Sequence, residues 1–398
     1  MTDRTQRTLW ALLAVVAIGL AATTVYLYRK SRTLSAVAEL PSGRIAYTAF
    51  SETTGIPQLY TCDLQGGDIR PLVQSQAGDL LPVSGPLRTE EGRAPRIAFV
   101  RFRSEPGDDS GTQVGAPGGV YVVGSNGGQE REISGGVPRL LAVPPAWSPD
   151  GRQVAFAGVE DLNSDGQYTS AEAGIYVGDA QGAQVRRAAA VHATGLGLRW
   201  SPQSAQLILQ VRLAEAPLPV AHLLDLQTGE LASRDQATTV GCWSPGGQYI
   251  AAYSMIDREI HVLDTEGEEV WSTATPAGYV ADLYWLPATS TEADDEGRFL
   301  ALCAAEPNTG WGQLFVSSPL IARGAAPTWR ALTAADAVLA HVTPSPDGHW
   351  AVFTQLAEGS TGMEADLYLL NLEQGRAQQL TLEPGYEGWP AWVPNGRE

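Results

Sequence analysis

The feature that most constrains the fold of this 398-residue chain is a phrase of sequence that recurs seven times at a spacing of about fifty residues. It opens apolar-Trp-Ser-Pro-Asp-Gly, continues through Ile-Ala-Phe and Ile-Tyr-Val-x-Asp, and closes on Leu-Thr or a similar pair. The clearest copy runs Trp147-Ser148-Pro149-Asp150-Gly151, then Val154-Ala155-Phe156, then Ile175-Tyr176-Val177-x-Asp179. Aligned on the Ile-Ala-Phe element, the copies begin near Ile45, Ile97, Val154, Leu207, Tyr249, Phe299 and Trp350. The first copy lacks its opening and starts at Gly43-Arg44-Ile45-Ala46-Tyr47. An opening with nothing after it, Trp392-Val393-Pro394-Asn395-Gly396, stands at the other end.

Each unit consists of short β-branched and apolar runs broken by Gly, Pro and Asp, which is the pattern of strands and hairpins. In Ser-Pro-Asp-Gly the proline presets φ and the glycine accepts a positive φ. Proline in nearly every turn argues against a helical solenoid, and no stretch of helical period follows residue 40. Repeats of this length bury their faces only by stacking. The expected fold is therefore all-β, a seven-bladed β-propeller over residues 43–398, closed by pairing of its two ends. The strand Pro390–Pro394 is expected to pair beside Gly43–Tyr47 and complete the first blade. The degenerate opening at Leu87–Pro95 and the acidic stretch Glu292–Glu296 read as loop insertions.

The matched openings at Trp147, Trp200, Trp243, Pro344 and Trp392, each in phase with the same later strands, resemble the TolB-like propeller repeats. Such repeats also occur in the propeller domains of prolyl-oligopeptidase-type enzymes. The resemblance covers residues 43–398 and implies interaction and scaffold roles rather than one chemistry.

Leu9–Tyr28 carries no charge over about twenty residues, long enough as a helix to span a ~30 Å hydrocarbon core. Trp10, Tyr26 and Tyr28 sit at its ends and Arg29-Lys30-Ser31-Arg32 stops it. Residues 1–32 therefore read as one N-terminal transmembrane helix with flanking charges, and 33–42 as a linker. The alternative is a cleaved signal peptide with Gly19-x-Ala21 at its cleavage site. Formal net charge is −18, and Lys30 is the only lysine. An acidic field repels phosphate backbones and argues against nucleic acid as a partner. With no lysine beyond Lys30, a Walker A or Schiff-base lysine in the propeller is excluded. Cys62, Cys242 and Cys303 lie far apart in apolar segments, as buried thiols do.

Asp161-x-Asn163-x-Asp165-Gly166-x-x-x-x-x-Glu172 matches a twelve-residue EF-hand loop at its ligand positions. Asp161, Asn163, Asp165 and Thr169 offer side-chain oxygens, Gln167 its carbonyl, and Glu172 two oxygens. The expectation is structural Ca2+ held in a loop capping a hairpin of the third blade. The competing reading is an acidic solvated turn.

Neither a Gly-x-Ser-x-Gly elbow nor His-Glu-x-x-His occurs. His222 and His261 fall where other copies have Tyr60, Tyr121, Tyr176, Phe315 and Tyr368, so packing roles are expected, and His349 is expected at the surface. His192 and His341 precede innermost strands and approach the central channel. The same segments carry Tyr279, Asp282, Tyr386, Glu387 and Trp389, which form with them a candidate ligand site. No catalytic residue is assigned. The reading is a membrane-anchored, extracytoplasmic scaffold that binds a protein, peptide or glycan. The alternatives are a propeller lyase or hydrolase acting at the channel, and a cytoplasm-facing scaffold, which the charges flanking Leu9–Tyr28 allow.

Overall fold

A computed structural model describes residues 43–393, except 51–54, 87–94, 104–115, 166–168, 170–171, 192–194, 204, 213–219, 234–237, 289–295, 308–310, 321–325 and 358–363. The segment Leu9–Tyr28 therefore lies outside the described residues, as does His192. Twenty-nine strands form seven antiparallel sheets, and no α-helix occurs among the described residues. Each sheet is a blade of consecutive strands running outward from a central channel. The innermost strands of blades 2 to 7 are Gly78–Ser84, the pair Arg139–Leu140 and Ala146–Trp147, Gly195–Trp200, Thr238–Trp243, Tyr279–Leu286 and Leu339–Pro344.

Blade 1 departs from chain order in the expected way. Glu387–Val393 forms its innermost strand, beside Arg44–Phe50, Pro57–Asp63 and Arg70–Pro71. The register is Arg44↔Val393, Ile45↔Trp392 and Ala46↔Ala391. The ring is thus closed by hydrogen bonds between segments more than three hundred residues apart in sequence.

The Ile-Ala-Phe element lacks the apolar/polar alternation of a half-buried strand because each blade is covered on both faces, as in other doubly buried strands. Ile97, Ala98, Phe99 and Val100 are all 0 % exposed. Between blades 1 and 2 lies an apolar layer that includes Ala46, Leu59, Ile97 and Val123. A similar layer between blades 6 and 7 includes Leu300, Leu314, Phe353 and Leu370. One aromatic pair repeats across the second and third strands: Tyr47 with Tyr60, Phe99 with Tyr121, Phe156 with Tyr176, and Phe353 with Tyr368. His222 and His261 occupy the same register position, opposite Leu209 and Ala252, and both are buried. His349 is exposed and the three cysteines are buried and free.

The opening phrase has a local logic. In blade 3 the Ser148 hydroxyl accepts from the Gln153 amide at 2.9 Å, and Gly151 turns at φ 68°. Ser345 repeats this with Trp350 at 3.0 Å, and Gly348 turns at φ 73°. The tryptophan reaches the blade before it: Trp147 Nε1 donates to the Val83 carbonyl at 3.0 Å, and Trp243 Nε1 to the Arg199 carbonyl at 3.2 Å. These bonds satisfy carbonyls on strands that have no inner neighbour.

Arginine supplies a second set of links, which the repeat pattern did not reveal. Arg96 donates to the Gly151 carbonyl of the next blade at 2.6 Å, and Arg298 to that of Gly348 at 3.0 Å. On the outer strands Arg131, Arg186 and Arg330 reach the carbonyls of Gln181, Leu226 and Leu372 in the following blade. A guanidinium has five fixed donors and a lysine ammonium three mobile ones, so lysine is a poor replacement at these links. Arg298→Lys is expected to lower the melting temperature measurably, whereas Arg152→Lys, on an exposed turn residue, is expected to leave it within about a degree. Paired thermal melts test this.

Candidate functional site

Alternating strand direction puts two sets of connections on opposite faces of the ring. The Ser-Pro-Asp-Gly hairpins lie on one. The segments entering each innermost strand, and those joining second to third strands, lie on the other, called here the entry face.

Five innermost strands carry a register shift near this face, and in three of them it takes the same form. The register shifts between Leu80 and Val83, between Ala340 and Thr343, and at the pairing of Gly388 and Ala391 with Thr48 and Ala46. At each bulge one non-glycine residue turns left-handed: Leu81 at φ 57°, His341 at φ 49° and Trp389 at φ 51°. The left-handed region costs an L-residue roughly 1–2 kcal/mol. Such costs concentrate where a side chain must be aimed. Here the three occur at equivalent places in the adjacent blades 7, 1 and 2.

The aimed side chains meet. His341 stacks on Trp389 with centroids 4.5 Å apart and planes at 25°. Trp311, from the connection between the second and third strands of blade 6, lies 6.1 Å from His341. Tyr386 is 5.5 Å from Trp389, its hydroxyl 3.4 Å from His341 Nδ1, and Phe50 meets Tyr386 edge-on at 5.6 Å. Phe50 and Trp389 also pack on the cluster of Leu80, Leu81, Val100 and Phe102. The five ring-bearing residues are each partly exposed, so the result is an aromatic bank across blades 6, 7 and 1, packed on blade 2. Burial pushes the His341 imidazole down to about 4 and so keeps it neutral at physiological pH.

The other expected site residues separate into distinct settings. Asp282 pairs with Arg199 of blade 4 and accepts from the Tyr284 hydroxyl at 2.6 Å. The Arg199 guanidinium lies 4.7 Å from the centroid of the Tyr284 ring, and the single Tyr284 hydroxyl proton is shared between Asp282 and the Val342 carbonyl of blade 7. This polar group links blades 4, 6 and 7 beside the channel, next in sequence to His341. Tyr279 is held by Arg258, which donates to its hydroxyl at 3.0 Å and lies over its ring. It does not join the aromatic bank.

Glu387 is 3 % exposed and lies in the seam between blades 1 and 7, beside Asp366. It shares a hydrogen bond with Asp366 of blade 7, and its Oε2 has no partner. Burial, then the neighbouring Asp366, push the Glu387 carboxyl up to about 8, and burial raises Asp366 to about 6. Nothing in the sequence pattern separated Glu387 from its neighbour Tyr386, because burial of one and exposure of the other depend on the adjoining blade.

The acidic loop joins Gln153–Val159 to Ala173–Asp179, with Gly166–Tyr168 and Ser170–Ala171 outside the described residues. The place of Gln167 is thus not described. Asp161 Oδ1 and Asn163 Oδ1 both accept from the Asp165 amide at 3.0 Å. Glu172 reaches back across the loop: Oε1 accepts from the Leu162 amide at 3.0 Å and Oε2 from the Thr169 amide and hydroxyl at 3.1 Å. Those bonds, the Thr169 amide foremost, hold its carboxyl below the usual range. The last position of the loop is thereby brought against the second. Among the described residues, no three acidic, histidine or cysteine side chains converge closely enough to hold a metal as they stand.

His261 has a role beyond packing. Its Nε2 lies 3.0 Å from Asp257 and its Nδ1 3.0 Å from Glu269, so it ties a turn to the outer strand of blade 5. Carboxylates four residues before and eight after a histidine are the sequence signal for this bridge.

No model of a known protein family matches the chain, and no curated protein matches it in sequence. Solved structures do match in shape. TolB from Acinetobacter baumannii superposes with a TM-score of 0.50 at 16% identity, over 91% of this chain and 69% of that one. A prolyl endopeptidase gives 0.56 at 11% identity over 99% of this chain, which spans 56% of the enzyme's length. A component of the Mitotic Checkpoint Complex gives 0.51 at 14% identity, over 81% and 93% of the two chains. Identities this low establish architecture alone, and the architecture they establish is a TolB-like β-propeller.

Proposed function

We propose that this chain is a membrane-anchored, extracytoplasmic binding scaffold that takes a protein, peptide or glycan ligand on the entry face of its propeller. The observation that carries the reading is the aromatic bank of Trp311, His341, Tyr386 and Trp389, built on strained backbone and left partly exposed. A fold does not choose a function, and propellers of this shape occur both in an assembly and in hydrolytic enzymes. The site favours binding. Arg199, Asp282 and Tyr284 already engage one another, and the imidazole of His341 meets rings and a phenol rather than a carboxylate. Partly exposed aromatic surface is typical of recognition hot spots.

Photo-crosslinkers placed at Tyr386 and at the remote, exposed Gln374 test the reading in intact membranes. A specific adduct at position 386 and none at 374 is expected, and equal labelling would sink the proposal. Anchoring by Leu9–Tyr28 with the propeller outside is tested by protease added to intact cells, which should cleave the propeller. Complete protection would instead establish the cytoplasm-facing alternative.

Calcium belongs to the same proposal. Asp161, Asn163, Asp165, Thr169 and Glu172 form a set of hard oxygen donors of the kind calcium takes, and Glu172 already closes the loop onto Leu162. Binding would draw the carboxylates inward and stiffen the hairpin of blade 3. At 100 times its dissociation constant the ion adds about 2.7 kcal/mol. Calcium is expected to raise the melting temperature and Glu172→Gln to abolish that rise. An unchanged midpoint in chelator and no heat in calorimetry would remove the ion from the account.

A further inference from the structure

We infer that the entry face at blades 6, 7 and 1 is selective for a cationic segment of polypeptide carrying an aromatic or aliphatic anchor. The inference rests on the binding role proposed above and adds the chemistry of the occupant.

Two further observations lead to it. The first is where apolar surface is exposed. Val338 is 40% exposed and Leu382 47% exposed, and each lies in a connection that enters an innermost strand flanking the bank. They stand three and four residues before His341 and Tyr386 of the bank, so apolar side chains are exposed along the same entering segments. A surface of this kind, rimmed by polar groups, marks an interaction site.

The second is charge. Glu306, Asp336, Glu364 and Glu383 are exposed and lie one each in the connections around the bank. Those connections, residues 305–312, 332–338, 357–364 and 380–386, hold no lysine, arginine or histidine. Arginine is abundant elsewhere in the chain, and on the opposite face it supplies the links to Gly151 and Gly348. The rim of these three blades is thus acidic with no base to offset it, as is the entry-face loop 160–172 of blade 3. Carboxylates around an aromatic floor attract a cation twice over: the rim steers it in, and ring faces bind it at close range. The same rim repels an acidic segment, which supplies discrimination.

The dimensions favour a segment over a single small cation. The rings run from Trp311 in blade 6 through His341 and Trp389 to Phe50, and Trp389 and Phe50 pack on Leu81 in blade 2. A row of rings flanked by carboxylates matches alternating basic and apolar side chains.

The test uses the full chain in detergent and two dye-labelled peptides of alternating residues, one Arg with Trp and Leu, the other with Glu at every Arg position. The expected result in fluorescence anisotropy at low salt is at least tenfold tighter binding of the basic peptide. That preference should shrink as salt rises. Replacing Glu306, Glu364 and Glu383 by Gln and Asp336 by Asn should abolish the preference while the chain still melts cooperatively. Trp389→Ala should weaken the basic peptide at least tenfold. If both peptides bind equally and both depend on Trp389, selectivity for a cation is wrong while the binding face stands. If neither binds at millimolar concentration, the binding face itself is overturned. Self-association that the basic peptide does not compete would assign the face to a second copy and overturn the inference.

Discussion

Removing Pro390–Glu398 is expected to unfold the propeller rather than trim it. The deleted residues include most of the innermost strand of blade 1, where Ala391, Trp392 and Val393 are 4%, 6% and 2% exposed. Their loss strips the pairing partners of Arg44, Ile45 and Ala46. It also removes Ala391 and Val393 from the layer between blades 1 and 2, and the Pro390 carbonyl that accepts from Thr343 of blade 7 at 2.6 Å. Loss of one large buried aromatic costs about 3–5 kcal/mol, and net stabilities are about 5–15 kcal/mol. Losing the strand therefore takes most of the margin or all of it. The truncated chain should show no cooperative melt and rapid proteolysis. Trp392→Ala, which keeps the backbone pairing, should still melt cooperatively at a markedly lower temperature. A truncated chain melting within a few degrees of the intact one would mean that blades 2 to 7 hold together without closure.

The second large effect concerns pH and the same closing strand. Glu387 and Asp366 face each other across the seam, with Glu383, Glu364 and the Tyr47 hydroxyl nearby, and Gln379 donates to Asp366 at 2.8 Å. A buried and a half-buried carboxyl that share a hydrogen bond need a proton between them. The folded state holds Glu387 protonated up to about 8, whereas an unfolded glutamate releases its proton near 4.5. Between those values the folded state binds more protons, so stability falls as pH rises. The contribution is complete below about pH 4.5, declines through neutrality, and is gone above about 8. Its ceiling is roughly 4–5 kcal/mol at 1.36 kcal/mol per unit. Carboxylates held low, such as Asp68 beside Arg44 and Arg70, act in the opposite direction at more acid pH. Glu387→Gln keeps a hydrogen bond to Asp366 without the charge. It is expected to raise the melting temperature at pH 9 by several degrees and to flatten the decline between pH 5 and 8. Wild-type stability that rises over that interval, or a variant with the wild-type slope, would show that the pair does not carry the shared proton.

The candidate site was legible only as a list. His341, Tyr386 and Trp389 were marked by position before the innermost strands, and they do assemble. Asp282, Tyr279 and Glu387 were marked by the same criterion, yet they face the channel, an arginine and the seam. A strand period says which residues alternate, but the bulges near His341, Trp389 and Leu81 reset that alternation by a residue. Phe50 and Trp311 joined the bank unannounced because one ends a second strand and the other lies in a connection, both distant in sequence from the segments entering innermost strands.

By itself the sequence determined the number of blades, their register and the closure of the ring. Those follow from a local phrase whose turn chemistry and doubly buried strand recur at fixed spacing, and from an incomplete copy at each end. It also marked His222 and His261 as counterparts of the recurring third-strand aromatic. Only the tertiary structure decided which side chains meet across blades: the arginine links, the aromatic bank and the carboxyl pair of the seam. Each of these joins neighbouring or more distant units, and its geometry depends on how blades stack and where strands bulge, which no single repeat encodes.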